Sequence, residues 1–161
     1  MESLVARSIA QYSHLAVRDR FDEPVIEHVE RVAAAVPPDM RAVAFLHDVL
    51  EGTSTDLGEL RAQGLTPFEE AVLEVLTRRS GESYELYVLR VAWAAGDVGT
   101  VARTVKLADL DDHLGHPELP NGAPPYGWAR RHVVVAGERH ARVNLSGSSP
   151  GPNESLWEIT A

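Results

Sequence analysis

The sequence predicts an all-α protein folded as a single domain, a helical bundle, on three observations. Apolar residues recur at the helix interval along most of the chain, no segment alternates convincingly as a half-buried strand, and proline and glycine gather between the periodic stretches. A length of 161 residues suits one hydrophobic core, and a composition 44% hydrophobic and 24% charged is that of an ordinary globular domain.

The elements follow in order. In PVIEHVERVAAAV, Val25, Ile26, Val29, Val32, Ala33 and Val36 share one helical face, with Pro24 in a first-turn position. Pro37 and Pro38 end that helix, because proline cannot donate to the preceding turn. Asp39 can cap the next, MRAVAFLHDVLEG, whose faces are apolar nearly all round up to His47, as suits the centre of a bundle; Gly52 is a natural terminator. Three shorter helices are expected over Thr55–Arg61, Pro67–Arg78 and Tyr84–Ala95, the last beginning after the Ser80-Gly81 break. Val98, Val101, Ala102, Val105 and Ala108 mark one stripe of a longer helix ending near Leu114. HPELPNGAPPYG reads as a loop, Trp128–Val143 as a last helix in which VVVAG also fits a strand, and SGSSPGPNES as part of a flexible tail. The domain is therefore expected over 1–145 and the tail over 146–161.

Charge and composition narrow the function classes. A formal charge of −9 offers no global attraction to nucleic acid or to an anionic membrane, so any phosphate the protein handles must meet local basic groups. The absence of cysteine excludes disulfides, thiolate zinc sites and a cysteine nucleophile, and fits a cytoplasmic protein. The N-terminal MESLVARSIAQYSH is too polar for a secretory signal, and no apolar run approaches the roughly 20 residues of a membrane helix. Neither a phosphate-binding glycine loop nor a nucleophile elbow is present.

One stretch stands out chemically. FLHDVLEGT places His47 and Asp48 side by side, and Glu51 sits three and four residues on, so a helix brings all three heads to one area. Burying such groups unpaired costs several kcal/mol, a cost that metal coordination or mutual hydrogen bonding removes. His28, on the edge of its apolar stripe, can meet His47; Asp109, directly after an inward face, can close the site. Two imidazoles and two carboxylates would suit manganese, iron, zinc or cobalt better than calcium. His28 equally fits a core-border histidine, and Asp109, beside Asp111 and Asp112, a solvated acid.

Four motifs in order give a resemblance. DEPVIEHV is similar to GEPYIEHP, FLHDVLEGT to LLHDVVEDT, LTRRSGESYELYVLRVA to a segment of single-domain bacterial members, and VKLADLDDHL to VKLADRLHNM. Over Arg18–Leu114 the chain thus resembles the HD-domain metal-dependent phosphohydrolases, and among them the hydrolase module of the RelA/SpoT stringent-response enzymes and the stand-alone small alarmone hydrolases. The resemblance implies an all-helical HD-domain bundle, a manganese-type ion held by His28, His47, Asp48 and Asp109, and hydrolysis of the 3′-pyrophosphate of a guanosine alarmone such as ppGpp, a small-molecule nucleotide substrate. Glu51 is the residue expected to take or orient the water proton.

Substrate contacts are expected from several side chains. Lys106 and Arg103, three and six residues before Asp109, are expected on its side of the helix, offering cations to phosphate oxygens. Arg20 occupies the family's basic position ahead of its EPxI motif, with Arg18 or Arg78-Arg79 assisting, although each arginine also fits a solvated surface. Tyr84 can stack on or hydrogen-bond a nucleotide, or belong to the core. Three positions depart from the family: Gly52 replaces the second acid after the His-Asp pair, Leu110 an arginine, and His113 a substrate-facing asparagine. They leave two alternatives, hydrolysis of another nucleotide or phosphate ester, and a metal- or nucleotide-binding module without turnover.

Overall fold

The computed structural model describes residues 1–117, 119 and 121–146, and every regular element among them is helical. The tail expected over 146–161 lies, from residue 147 onward, outside the described residues. Helix α1 spans Ser3–Ser13, α2 Val25–Ala35, α3 Arg41–Leu46, α4 Val49–Gly52, α5 Leu57–Ala62, α6 Pro67–Leu76, α7 Tyr84–Trp93, α8 Gly96–Gly115 and α9 Tyr126–Ser146. The fold is a single all-α body, as the periodicity predicts. No helix among the described residues is long and apolar enough to cross a membrane.

Local chemistry sets the helix starts. Asp56 and Thr66 each accept the backbone N–H of the third residue of the following helix, Glu59 and Glu69, whose carboxylates return to the capping backbone N–H. Ser83 caps α7 through the Leu86 N–H at 3.2 Å. Val133–Gly137, equally compatible with a strand in the sequence, lies within α9.

Two local features differ from the sequence reading. The expected continuous helix from Met40 to Gly52 is interrupted: Pro38–Met40 form a 3-10 turn, α3 stops at Leu46, and α4 restarts at Val49. Asp48, with φ −101° and ψ −6°, stays in the right-handed region but departs from regular helix values at that break, and aspartate is a poor residue for a helix interior. Asp39 makes no side-chain cap bond and lies inside the 3-10 turn. Helix α1 has no counterpart in the expected elements, because its inner face is built from Ala6 and Ala10 while Leu4, Tyr12 and, just beyond it, Leu15 face solvent. Small residues inside and large ones outside blur the apolar stripe on which helix recognition depends.

Helix α8 is the axis of the bundle, packed against α2, α6, α7 and α9. Leu46, Val49, Val105, Leu110 and Val133 are fully buried around it. Its approach to the end of α7 requires Gly99, where a β-carbon would fall 1.9 Å from the carbonyl oxygen of Ala94. This packing places the middle of α2, the α3–α4 break and the C-terminal half of α8 around one cleft.

Candidate metal centre

Each of those three elements delivers its chemistry from a buried position. The α3–α4 break turns His47 and Asp48 toward α2 and α8, and His28, His47 and Asp109 are 3%, 5% and 3% exposed. His28 Nε2 lies 3.3 Å from Asp109 Oδ1 and 3.8 Å from Asp48 Oδ2. His47 Nε2 lies 3.4 Å from Asp48 Oδ2 and 4.0 Å from Asp109 Oδ1. Donors about 2.1 Å from a common ion stand about 3.0 Å apart at right angles and about 4.2 Å apart across it, and all four spacings fall in that range. The structure thus brings His28, His47 and Asp48 into one compact donor group and sets Asp109 beside it, against both imidazoles.

The tautomers fit a metal. His28 Nδ1–H donates to Asp112 Oδ2 at 2.8 Å, and His47 Nδ1–H donates to the carbonyl of Ala44 at 2.7 Å. A neutral imidazole that commits Nδ1–H outward keeps a lone pair on Nε2, and both Nε2 atoms are buried without a hydrogen-bond partner. Buried polar atoms without partners are rare because each forgoes its solvation; here two of them face carboxylates across a few ångströms. This buried His/Asp group can hold a metal ion. Asp112, which the spacing of the sequence does not single out, is the support of His28. Arg31 Nε and Nη2 hold its two carboxylate oxygens at 2.6 and 3.0 Å. Its signal in the sequence is its place three residues after Asp109, one turn along the same face.

The charges are strongly coupled. Burial alone would lower the His28 imidazole, but the carboxylates of Asp109, Asp112 and Asp48 around it outweigh burial and push it up to about 10. Burial would raise Asp109, yet the Lys106 ammonium, with His113 and His28, holds that carboxyl well below its ordinary range. Lys106 is buried and donates to Asp109 Oδ2 at 2.7 Å, with its ammonium 4.8 Å from the Tyr87 ring centre, so it orients the carboxylate. In the metal-free site, a proton on His28 occupies the place an ion would take.

The cleft beside this group encloses about 370 Å³, within the usual range for small-molecule sites. It is lined by Glu51, Arg18, Arg20, Arg78, Tyr84, Lys106 and His113 among others. Glu51 sits on the rim, where Oε2 accepts the Arg78 backbone N–H at 3.2 Å. Arg18 pairs with Asp22 at 2.8 Å. Arg20 stands 6.0 Å from the Tyr126 ring centre. The Tyr84 hydroxyl is buried without a partner, and burial pushes its phenol above its usual value.

Arg103 is a correction. It is absent from the cleft lining; its guanidinium donates to the carbonyls of Ala92 and Ala94 at 3.1 and 2.6 Å, closing the α7–α8 junction. Six residues turn a helix through about 600°, which leaves Arg103 about 120° away from Asp109, whereas the three-residue step to Lys106 keeps one face.

His14 enters the cleft unannounced by any spacing. It follows α1, is 3% exposed, and neither ring nitrogen has a partner. Burial, with His47 and His28 nearby, lowers its pKa against the opposing charge of Asp48. No protein-family model matches the chain, and no curated protein matches it.

Proposed function

We propose that this protein is a metal-dependent phosphohydrolase of the HD-domain type, with a guanosine alarmone such as ppGpp as substrate and manganese as the ion. The observation that carries the reading is the pair of buried, unpartnered Nε2 atoms of His28 and His47 facing Asp48 and Asp109 at the floor of a cleft with unengaged basic side chains. Among the described residues, Arg20 and Arg78 line that cleft without a carboxylate partner, and they are the cations available to phosphate oxygens.

A divalent ion in this group supplies Lewis acidity toward water and toward a phosphoryl oxygen. The chain does the rest. Asp112 and the Ala44 carbonyl fix the two imidazole orientations, and Lys106 fixes Asp109. Glu51, steadied through one oxygen by the Arg78 N–H, has its other oxygen free to accept a proton from the attacking water. Water oxygen bonds to phosphorus, the ester bond to the 3′ oxygen breaks, the proton accepted by Glu51 passes to that 3′ oxygen, and pyrophosphate leaves with a guanosine phosphate behind. Tyr84 offers its buried hydroxyl, and Tyr126 and Arg20 offer flat faces, to a nucleotide.

A second reading, hydrolysis of another nucleotide or phosphate ester, is favoured by Gly52 and by Leu110, which is fully buried and therefore presents nothing to a ligand. Purified protein incubated with manganese and ppGpp, pppGpp, NADPH, deoxynucleotides or simple phosphate esters separates the two. Pyrophosphate release from ppGpp, abolished by chelator and by His47→Ala, is the expected result. Intact ppGpp beside cleavage of another ester would put the second reading first, and absence of bound metal after loading would end both.

A further inference from the structure

The connection between α6 and α7 carries a cation to the cleft and an ion pair behind it. Arg78 lines the cleft, and its backbone N–H is the one that Glu51 Oε2 accepts at 3.2 Å. Glu82 and Arg90 do not line the cleft. They form a bidentate pair, in which Arg90 Nε donates to Glu82 Oε1 and Nη2 to Oε2, both at 2.8 Å. Their side chains are 12% and 19% exposed.

Both partners also bind the backbone around Arg78. Arg90 Nη2 donates to the carbonyl of Thr77 at 2.9 Å, and Glu82 Oε2 accepts the N–H of Arg79 at 3.0 Å. The peptide group on each side of Arg78 is thus fastened to one ion pair, and the first of them is held at its other end by Glu51. Arg90 Nη1 donates to the Val75 carbonyl at 2.9 Å, which ties the pair to the end of α6. A turn closed by the Glu82 N–H on the Arg79 carbonyl at 3.0 Å, with Gly81 at φ +76°, completes the connection. The backbone of Arg78 is over-determined, while its guanidinium has no carboxylate partner among the described residues.

We propose that Glu82 and Arg90 are positioning residues of the cleft: by fixing both peptide groups of Arg78 they hold its guanidinium as the cation that receives a phosphoryl oxygen, and they steady Glu51 through the Arg78 N–H. The inference rests on the phosphohydrolase reading above and adds to it two residues that touch neither ion nor substrate. A guanidinium on a loose loop binds phosphate only after the loop backbone is immobilised, whereas one on an anchored backbone gives up only side-chain freedom. Releasing the pair therefore weakens phosphate binding, and does so only while Arg78 is there to make the contact.

The experiment uses the full chain loaded with manganese and titrated calorimetrically with inorganic phosphate, with metal content and Tm measured in parallel. Arg78→Ala should weaken phosphate binding about tenfold or more, the loss of a charge-assisted bond. Arg90→Met and Glu82→Gln should each weaken it about three- to tenfold at unchanged metal content. Made in the Arg78→Ala chain, each should change it by less than about twofold. Glu82→Gln leaves the bonds of Arg90 to the α6 end in place, so it decides the matter if Arg90→Met does not fold. A purely structural pair would lower Tm and leave phosphate affinity at its wild-type value; that result, or equal losses with and without Arg78, overturns the proposal. A wild type that takes up no manganese, or binds no phosphate once loaded, defeats the function proposed above and this inference with it. Phosphate binding by the wild type beside unaffected variants defeats this inference alone.

Discussion

Asp112→Asn tests whether the support of His28 matters to metal binding. A carboxylate can only accept, so at 2.8 Å it fixes the proton on Nδ1 and leaves Nε2 free for an ion. An asparagine amide can turn its NH₂ toward Nδ1, which shifts the ring proton to Nε2 and removes a ligand. Losing such a support weakens metal affinity by about 10–100-fold, or about 1.4–2.7 kcal/mol. An opposing effect must be separated. Asp112 is one of the groups that push His28 up to about 10, so at pH 7 the ion displaces a proton across three pH units, about 4 kcal/mol, and removing the carboxylate relieves part of that competition. At pH 10 the competition fades and the loss of the tautomer stands almost alone. Calorimetric titration with cobalt(II) should therefore show a larger deficit at pH 10 than at pH 7. Arg31→Gln is the control: its guanidinium is 41% exposed and acts on Asp112 rather than on His28, so affinity should change less than about threefold. A folded Asp112→Asn protein with wild-type affinity at pH 10 would refute the role assigned to Asp112.

The remaining predictions concern protons, packing and the missing acid. Metal binding to the wild type should release about one proton at pH 7, with apparent affinity rising about tenfold per pH unit and levelling near pH 10, because His28 holds its proton up to about 10 without an ion; titrations in buffers of different ionisation enthalpy read this directly, and a pH-independent affinity contradicts it. Arg103→Met should lower Tm, by about 3–6 kcal/mol of stability for two lost charge-assisted bonds at a 5% exposed side chain, and leave metal content unchanged; metal loss at unchanged Tm would return Arg103 to the site. Gly52→Asp should raise turnover, by less than the about 10²–10⁴-fold a positioned acid or base can contribute. Gly52 is not among the positive-φ glycines and an added β-carbon meets only His14 Cε1 at 3.8 Å, so Gly52→Ala should match wild type; an aspartate variant no faster than alanine points to a site built for another substrate.

Much of this architecture is legible in the sequence because large apolar residues mark the buried faces. The stripe in α2 and the stripe in α8 are of that kind, and they carry His28 and Asp109 to the core border. Where the signal comes from small residues it fades: α1 shows an inner face of Ala6 and Ala10, and with α1 unseen His14 stays unseen too. The break at His47-Asp48 is a different case. Local apolar pattern favours an unbroken helix, but the helix is interrupted at His47-Asp48, where Asp48 departs from regular helix values while staying in the right-handed region, and no periodicity encodes that. Arg103 shows the limit of spacing arguments, since six residues return to no common face, while Asp112 was within their reach at three.

The charges of the cleft bear on what it can admit. A chain of net charge −9 repels a phosphate-rich molecule at long range, so capture must depend on groups at the site itself. Of the basic side chains lining the cleft, Lys106 is spent on Asp109 and Arg18 on Asp22. Arg20 and Arg78 remain, one beside Tyr126 and one beside Glu51. Two guanidiniums offset a single phosphate group but not a pyrophosphate facing Asp48, Asp109 and Glu51 at close quarters, because each unscreened like charge opposes binding more strongly as water is excluded. A divalent ion changes that balance, neutralising the two carboxylates that hold it and leaving the guanidiniums to the ligand. Under the proposed function, the carboxylates would make metal occupancy a precondition of substrate binding, the metal-free site rejecting the anion that the loaded site would accept.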